Sequence, residues 1–293
     1  MLINNFTRHI HQIWFQEGNL NDLWNGIGSG DYFEFQKSYI DFCDKNKWQY
    51  TLWREESIIA LIRVYFPQYL EEFNKLDSII KKVDCARLMI LYVHGGLYVD
   101  LDSYMKKDLN EFLNLESIQR DEYNYTMWHI NPDMPVHHMY DLIVGQEKTV
   151  CEYHYDKFGI IVPKINNAVI FCRPGLELFL EVIEKGFKRK DYAIMNSFGV
   201  HTFSNTVYQH MHKLVEDCLD SNVYHIPSKI LVLPTIYFYE MNVDEPWFEK
   251  AGGESKFVND KRQVIVHKFD GNWDGESYDK FLTNLTQNNI TKY

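Results

Sequence analysis

The sequence predicts an α/β domain, because short apolar runs alternate along the chain with longer segments of helical apolar spacing. Hydrophobic residues make up 45% of the 293 residues, which is enough to bury a core and excludes a disordered chain. No repeat and no linker rich in Pro, Gly and Ser interrupts the pattern. We therefore expect a single domain over residues 1–293, with its core at about 8–275 and a C-terminal tail at 276–293.

The individual elements follow from apolar periodicity and from the residues that interrupt it. Pro67 ends one helical segment, and Arg173-Pro174-Gly175 ends one apolar run. Residues 120–160, rich in Tyr, His and Met, predict a helical or loop insertion. The remaining pattern predicts strands at 10–15, 165–171, 230–239 and 263–269, and helices at 34–47, 55–66 and 176–188.

Composition narrows the classes of partner and compartment. The 41 acidic and 30 basic residues give a net charge of −11, which argues against a broad surface for nucleic acid or anionic lipid. The five cysteines are odd in number and form no C-x-x-C pair, so reduced thiols are expected rather than disulfides or a zinc knuckle. Neither a signal-peptide h-region nor a run of 18 apolar residues is present, so we expect a cytoplasmic protein without a membrane span.

The most informative stretch is 78–109. Apolar residues at helical spacing, from Ile79 to Leu91, predict a helix over 78–93 with one buried face. Gly95 and Gly96 supply its end, since glycine readily takes the left-handed conformation found after a helix. Apolar and polar residues then alternate from Leu97 to Asp102, which predicts a strand with a period of two.

On such a strand Asp100 and Asp102 project from the same face, with their Cα atoms roughly 6–7 Å apart. Two carboxylates that close repel each other, so a positive group is expected beside them, either a hydrated divalent cation or an arginine. Asp84 and Arg87, three residues apart on the preceding helix, form either a local ion pair or a polar pair aimed at a ligand. The simpler alternative is two solvated Asp residues at a strand end.

Residues 84–102 resemble the signature of glycosyltransferase family 32, the DXD-type sugar transferases of the GT-A fold. The resemblance covers roughly residues 8–275 and implies a Rossmann-like, mostly parallel sheet flanked by helices. Three positions depart from the family pattern: Val83 replaces a usual Ser, Gly199-Val200 lacks a proline, and Asn272 replaces a Ser. Weaker matching motifs follow one another in the family's order: Ile10–Trp14, Trp53-Arg54-Glu55, Phe66-Pro67, Asn167–Ile170 and His267 through Asn272-Trp273.

The resemblance implies a metal-dependent, retaining transfer of a hexose from a nucleotide-sugar donor to a glycan or another hydroxyl acceptor. UDP-sugars are favoured over GDP-sugars on family frequency. Mn²⁺ or Mg²⁺ would be held by Asp102, Asp100 and His267, and Asn167 would join the two aspartates as a catalytic residue. The insertion at 120–160 would face the acceptor. Donor contacts are implied for Trp14, Asp84, Arg87, Tyr98, Asp100, Lys268 and Trp273.

Two other functions compete with this interpretation. One is a non-catalytic protein that binds nucleotide sugars or glycans on the same fold. The other is a D-x-D phosphohydrolase, which is less favoured because such enzymes carry the motif near the chain start and not at residue 100. The sequence is compatible both with a carboxylate nucleophile and with a front-face route that needs no such residue.

Overall fold

A computed structural model describes residues 6–15, 32–113, 140–146, 153–155, 161–220, 230–233, 237–239 and 263–267. Its helices are α1 Tyr32–Asn46, α2 Glu55–Tyr65, α3 Leu70–Asn74, α4 Ile79–His94, α5 Leu109–Leu113, α6 Glu177–Lys188 and α7 Val200–Asp220. Its strands are β1 His9–Ile13, β2 Gln49–Trp53, β3 Gly96–Val99, β4 Ser103–Met105, β5 Leu142–Gln146, β6 Tyr153–Tyr155, β7 Ile161–Pro163, β8 Ile165–Cys172, β9 Ile230–Leu233 and β10 Ile265–His267.

The centre of the fold is a six-stranded sheet in the order β2-β1-β3-β8-β5-β9. Strands β2, β1 and β3 run parallel, as do β5 and β9, whereas β8 is antiparallel to both of its neighbours. Two small antiparallel ladders, β10-β4 and β6-β7, complete the strand pairs. The fold is therefore the α/β architecture with a mainly parallel, helix-flanked sheet that the sequence and its resemblance predict.

The sheet buries both of its faces. Successive residues of β3 alternate between two core clusters, since Leu97 and Val99 lie in one cluster and Tyr98 lies in the other. Strand β8 alternates in the same way, with Ile170 on the side of Tyr98 and Phe171 on the side of Leu97. Because both faces of the sheet are covered, the natural place for a ligand is at the carboxyl ends of the strands.

The structure corrects the prediction for residues 120–160. Leu142–Gln146 is a central strand of the sheet, between β8 and β9, and not part of an insertion. The short apolar run Leu142-Ile143-Val144 is fully buried, which is what a strand covered on both faces requires. The late strands are also shorter than expected, at Ile230–Leu233 and Ile265–His267. Residues 114–139 lie outside the described residues, and the single-domain organisation over 1–293 stays a prediction.

The end of α4 is shaped by two glycines in the left-handed half of backbone space. Helix α4 begins after Ser78, whose hydroxyl accepts from the Ile80 amide at 3.1 Å, and it ends at Gly95 with φ of 62°. Gly96 has φ of 91°, and a Cβ atom there would lie 2.3 Å from the main-chain oxygen of His9. The predicted stop is confirmed, and the close approach lets β3 begin directly beside β1.

We expect Gly96→Ala to lower the free energy of unfolding by more than the roughly 1–3 kcal/mol that a strained backbone conformation costs alone. The added Cβ would also meet the His9 oxygen. Gly175→Ala is the matched control, because Gly175 has φ of 73° and a Cβ atom added there would have no other atom within 4 Å. Urea denaturation of both variants measures the difference, and equal losses would contradict the close packing of β1 against Gly96.

Three histidines lie together at the amino-terminal edge of the sheet. The rings of His9 and His11 are 3.9 Å apart between centroids, and His94 lies 6.1 and 5.9 Å from them. His11 is fully buried between the indole NH of Trp53 and the carbonyl oxygen of Gly95. Burial lowers the pKa of His9 to about 4, with the His94 charge adding to the effect, and burial also lowers the pKa of His11 and His94.

These shifts predict an acid-sensitive fold. A histidine with a folded pKa below its unfolded value stabilises the protein above pH 6.5, and that stability is lost as the pH falls toward 4. In His9→Asn the Tm should fall less than in wild type between pH 7 and pH 5, by about 2–4 °C for each 1 kcal/mol of linkage removed. Thermal denaturation at the two pH values checks this. Parallel Tm curves for the two proteins would rule out the linkage.

Candidate active site

Four segments meet at the carboxyl edge of β1 and β3. Asp100 follows β3 directly, and its amide donates to the Ala168 oxygen at 2.9 Å. Because β8 runs in the opposite direction, its beginning, and not its end, lies at this edge, and it brings Asn166 and Asn167 there. Strand β10 pairs with β4 so that His267 lies opposite Ser103. Residues distant in sequence thus gather around the D-x-D.

The strand predicted over 97–102 is wrong in its second half. Strand β3 ends at Val99, and residues 100–102 turn away from the sheet before β4 begins. The turn is closed by Ser103, whose amide and hydroxyl both donate to the Asp100 carbonyl oxygen, at 3.3 and 2.5 Å. The two carboxylates therefore converge through a turn instead of projecting from one strand face.

Asp100, Asp102 and His267 form a buried group of possible metal ligands. One ligand atom from each residue lies within 4.8 Å of the other two. The Nε2 atom of His267 lies 3.0 Å from Asp102 Oδ1 and 3.7 Å from Asp100 Oδ2. Burial alone would lower the pKa of His267, but the two carboxylates outweigh it and raise the pKa to about 10. The geometry thus stabilises a positive charge at this point.

This donor set fits a divalent cation. Two carboxylates and one imidazole are ligands that Mn²⁺ accepts, and the carboxylates also suit Mg²⁺. With His267 neutral, the three buried carboxylates of Asp84, Asp100 and Asp102 against the single guanidinium of Arg87 leave a local charge of −2. A divalent cation would neutralise that charge.

Arg87 is the arginine that the sequence offered as an alternative to a cation. Its side chain is 2% exposed, and its Nη2 atom lies 2.8 Å from Asp84 Oδ1 and 3.4 Å from Asp100 Oδ1. Its Nη1 atom donates to the Asn167 carbonyl oxygen at 2.7 Å, and its guanidinium lies over the Tyr98 ring, 4.7 Å from the centroid. The pair with Asp84 is therefore part of a buried cluster and not a local surface ion pair.

The polar side chains around Arg87 are held by one another. Burial raises the pKa of Asp84 to about 6, although Arg87 favours its charged form, and the Asn167 amide donates to Asp84 Oδ1 at 3.1 Å. The Tyr98 hydroxyl donates to Asp100 Oδ1 at 2.6 Å. Asp84, Arg87, Tyr98, Asp100 and Asn167 thus lie together as the sequence predicts. Their catalytic and donor-binding roles stay predictions.

Residues 33–124 match the family described as the glycosyltransferase sugar-binding region containing DXD motif. This segment contains α4, β3 and the D-x-D turn described above. Residues 33–124 are therefore similar to the sugar-binding region of DXD glycosyltransferases. The resemblance seen in residues 84–102 is thereby confirmed.

Several glycosyltransferases share sequence with this chain. Inositol phosphoceramide mannosyltransferase 1 of Schizosaccharomyces pombe is 32% identical over 112 residues, covering 36% of this chain and 31% of the relative. A glycosyltransferase of Acanthamoeba polyphaga mimivirus is 35% identical over 109 residues, covering 36% and 39%. The chain therefore matches about a third of the length of these relatives.

Two solved structures are similar in part. The PaToxG glycosyltransferase is 14% identical, with a TM-score of 0.43 and coverage of 76% of each chain. A glycosyltransferase involved in the glycosylation of the major capsid of PBCV-1 is 14% identical, with a TM-score of 0.39 and coverage of 88% of this chain and 92% of that one.

Some predicted site residues lie at the margin of the DXD region or beyond it. Trp14 follows β1 at the same sheet edge and is half-buried, with its amide donating to the Trp53 oxygen. Lys268 and Trp273 lie outside the described residues. Val83 stands where the family usually has a Ser. It is buried in the hydrophobic core, where its apolar side chain packs without a hydroxyl group. Within the described residues no helix has the length and apolar character needed to cross a bilayer.

Three residues near the site were not assigned a role from the sequence. Ser103 and Gln12 both donate to the Asp100 carbonyl oxygen, and Tyr39 contacts the Ser103 hydroxyl. All three side chains are fully buried. No local sequence signal marks these three residues, and only contacts between segments distant in sequence show that they surround Asp100.

We expect Arg87→Met to lower the free energy of unfolding by about 3–5 kcal/mol, because it leaves Asp84 and Asp100 buried without their cation. The control is Arg173→Met, which removes a partly exposed partner of Asp141 and should cost about 0–1 kcal/mol. Chemical denaturation of both variants compares the two losses. Equal losses would contradict the compensating role of Arg87.

Proposed function

We propose that this protein is a metal-dependent, retaining glycosyltransferase. It would transfer a hexose from a nucleotide-sugar donor to a glycan or another hydroxyl acceptor. The observation that carries the proposal is the convergence of Asp100, Asp102 and His267 within 4.8 Å, inside and beside a segment that matches the DXD sugar-binding region. The relatives' names, glycosyltransferase and mannosyltransferase, support the same class of reaction.

The chemistry of the donor explains the ligand set. When bound, a divalent cation supplies Lewis-acid stabilisation of the negative charge that develops on a departing diphosphate. Asp100, Asp102 and His267 would hold that cation at the carboxyl edge of β3. The buried carboxylates would repel a diphosphate, and a bound divalent cation would offset that repulsion.

The remaining buried polar groups would hold the sugar. Asp84 and Asn167 present a carboxylate and an amide, which can accept and donate hydrogen bonds with sugar hydroxyls. Arg87 keeps Asp84 and Asp100 oriented, and its planar guanidinium is suited to a diphosphate oxygen as well. Trp14 would stack on the base at the end of β1.

The donor is identified by a panel. UDP-sugars are favoured by the family resemblance, whereas the mannosyltransferase relatives favour a mannose donor. UDP-glucose, UDP-galactose, UDP-N-acetylglucosamine and GDP-mannose are therefore compared by thermal shift with and without Mn²⁺. A ligand at 100 times its Kd adds about 2.7 kcal/mol to stability, which a thermal shift resolves.

Asp102→Asn should abolish both the Mn²⁺-dependent rise in Tm and the Mn²⁺-dependent hydrolysis of the preferred donor. The reason is that the variant removes a charged ligand from the group of three. Asp41→Asn is the control, because Asp41 lies on the exposed surface of α1 in a pair with Lys37. If Asp102→Asn keeps the wild-type response to Mn²⁺, the metal assignment is wrong; if no nucleotide sugar is turned over, a binding protein replaces the enzyme.

A further inference from the structure

The carbonyl oxygen of Asp100 is a junction of hydrogen bonds. The Asp100 amide still belongs to the sheet, since it donates to the Ala168 oxygen at 2.9 Å. Its carbonyl has left the ladder and accepts from Gln12 Nε2 at 3.3 Å, and from the amide and hydroxyl of Ser103 at 3.3 and 2.5 Å. The orientation of this one peptide group therefore fixes how the chain turns from Asp100 to Asp102.

Two chains of side-chain hydrogen bonds converge on that oxygen. In the first, the Ser103 hydroxyl donates its hydrogen to the Asp100 carbonyl oxygen. It therefore accepts the hydrogen bond from the Tyr39 hydroxyl of α1, which lies 2.9 Å away. In the second, Gln36 donates to the Tyr50 hydroxyl at 2.7 Å, Tyr50 donates to Gln12 Oε1 at 2.8 Å, and Gln12 donates to Asp100. Both chains therefore run from donor to acceptor in one direction, and both end at the Asp100 carbonyl oxygen.

The relay is defined as Gln12, Gln36, Tyr39, Tyr50 and Ser103, and each of these residues except the half-buried Tyr50 is shielded from water. Gln12, Tyr39 and Ser103 have no exposed surface, and Gln36 is 8% exposed. Buried hydrogen bonds of this kind are costly to leave unmade, so the relay restricts the conformations of the turn. Helix α1 is further attached to β4, because the Met105 amide donates to Ser38 Oγ at 2.9 Å.

Ser103 also links the turn to the third ligand. It is the β4 residue that pairs with His267 of β10. A displacement of Ser103 therefore changes the Asp100 peptide and the strand that carries His267 together. The three ligand atoms within 4.8 Å of one another share this support.

We propose that Gln12, Tyr39 and Ser103 are positioning residues that set the separation of the Asp100 and Asp102 carboxylates and thereby the affinity for a divalent cation. This inference rests on the proposed metal-dependent function and deepens it. None of the three is among the residues that would hold the metal. Groups that orient metal ligands through hydrogen bonds typically change metal affinity by 10–100-fold when they are removed.

The test measures Mn²⁺ binding by isothermal titration calorimetry of the full chain, well below the Tm of each variant. Tyr39→Phe, Gln12→Met and Ser103→Ala each remove one hydrogen-bonding group of the relay. Each should raise the Kd for Mn²⁺ by about 10-fold. The double variant Gln12→Met/Tyr39→Phe should raise it by more than the product of the single effects, because both chains end on the same oxygen.

Matched controls separate positioning from general destabilisation. Ser204 is as buried as Ser103, but its hydroxyl bonds the main chain of Ile165 in β8 instead of the D-x-D turn. Tyr69 is partly buried against the core and stacks on Phe187, with ring centroids 4.6 Å apart. Ser204→Ala should lose stability in urea, because it removes two buried hydrogen bonds, and both Ser204→Ala and Tyr69→Phe should keep the wild-type Kd for Mn²⁺.

The outcomes distinguish failure of the proposed metal site from failure of the relay. A wild-type protein that binds no Mn²⁺ overturns the proposed metal site and the relay with it. A wild-type protein that binds Mn²⁺, with relay variants of unchanged Kd, overturns the relay alone. A Kd that follows urea stability across relay and control variants alike would also overturn it, since that pattern belongs to a purely structural role.

Discussion

The buried guanidinium of Arg87 is the interaction on which the rest of the site depends. It lies 2.8 Å from Asp84 and 3.4 Å from Asp100, with almost no exposure to water. Carboxylates buried without a compensating charge cost several kcal/mol each. Arg87 also binds the main chain of Asn167, so helix α4, strand β3 and strand β8 share a single cation. Packing of the three elements and charge balance at the sheet edge are therefore inseparable.

Local periodicity predicted the elements around the site but not the shape of the motif itself. The spacing of apolar residues located α4, and the glycine pair located its end. The alternation from Leu97 to Asp102 also fits a strand followed by a turn, so the pattern alone could not show where β3 stops. The end of β3 is set by hydrogen bonds from Gln12 and Ser103 to the Asp100 carbonyl oxygen, and Gln12 lies 88 positions before Asp100 in the sequence.

The positions of Asn167 and His267 relative to the D-x-D depend on the order of strands in the sheet. The sequence marked Asn167 and His267 only through a resemblance, since nothing near either residue shows which strand it adjoins. The reversed direction of β8 and the β10-β4 pairing bring them to Asp100 and Asp102. The same limit explains the error at Leu142–Gln146, where a five-residue apolar strand was hidden among aromatic and polar residues.

The three buried carboxylates of Asp84, Asp100 and Asp102 have a consequence for the order in which the proposed ligands would arrive. Acidic groups held in a dry sheet edge attract a cation and repel a diphosphate, and the repulsion ends once the cation is in place. In the proposed enzyme, cation and nucleotide sugar would then be thermodynamically linked, and each would raise the affinity for the other by the same factor. The fraction of protein ready for the proposed donor would follow the concentration of free divalent cation.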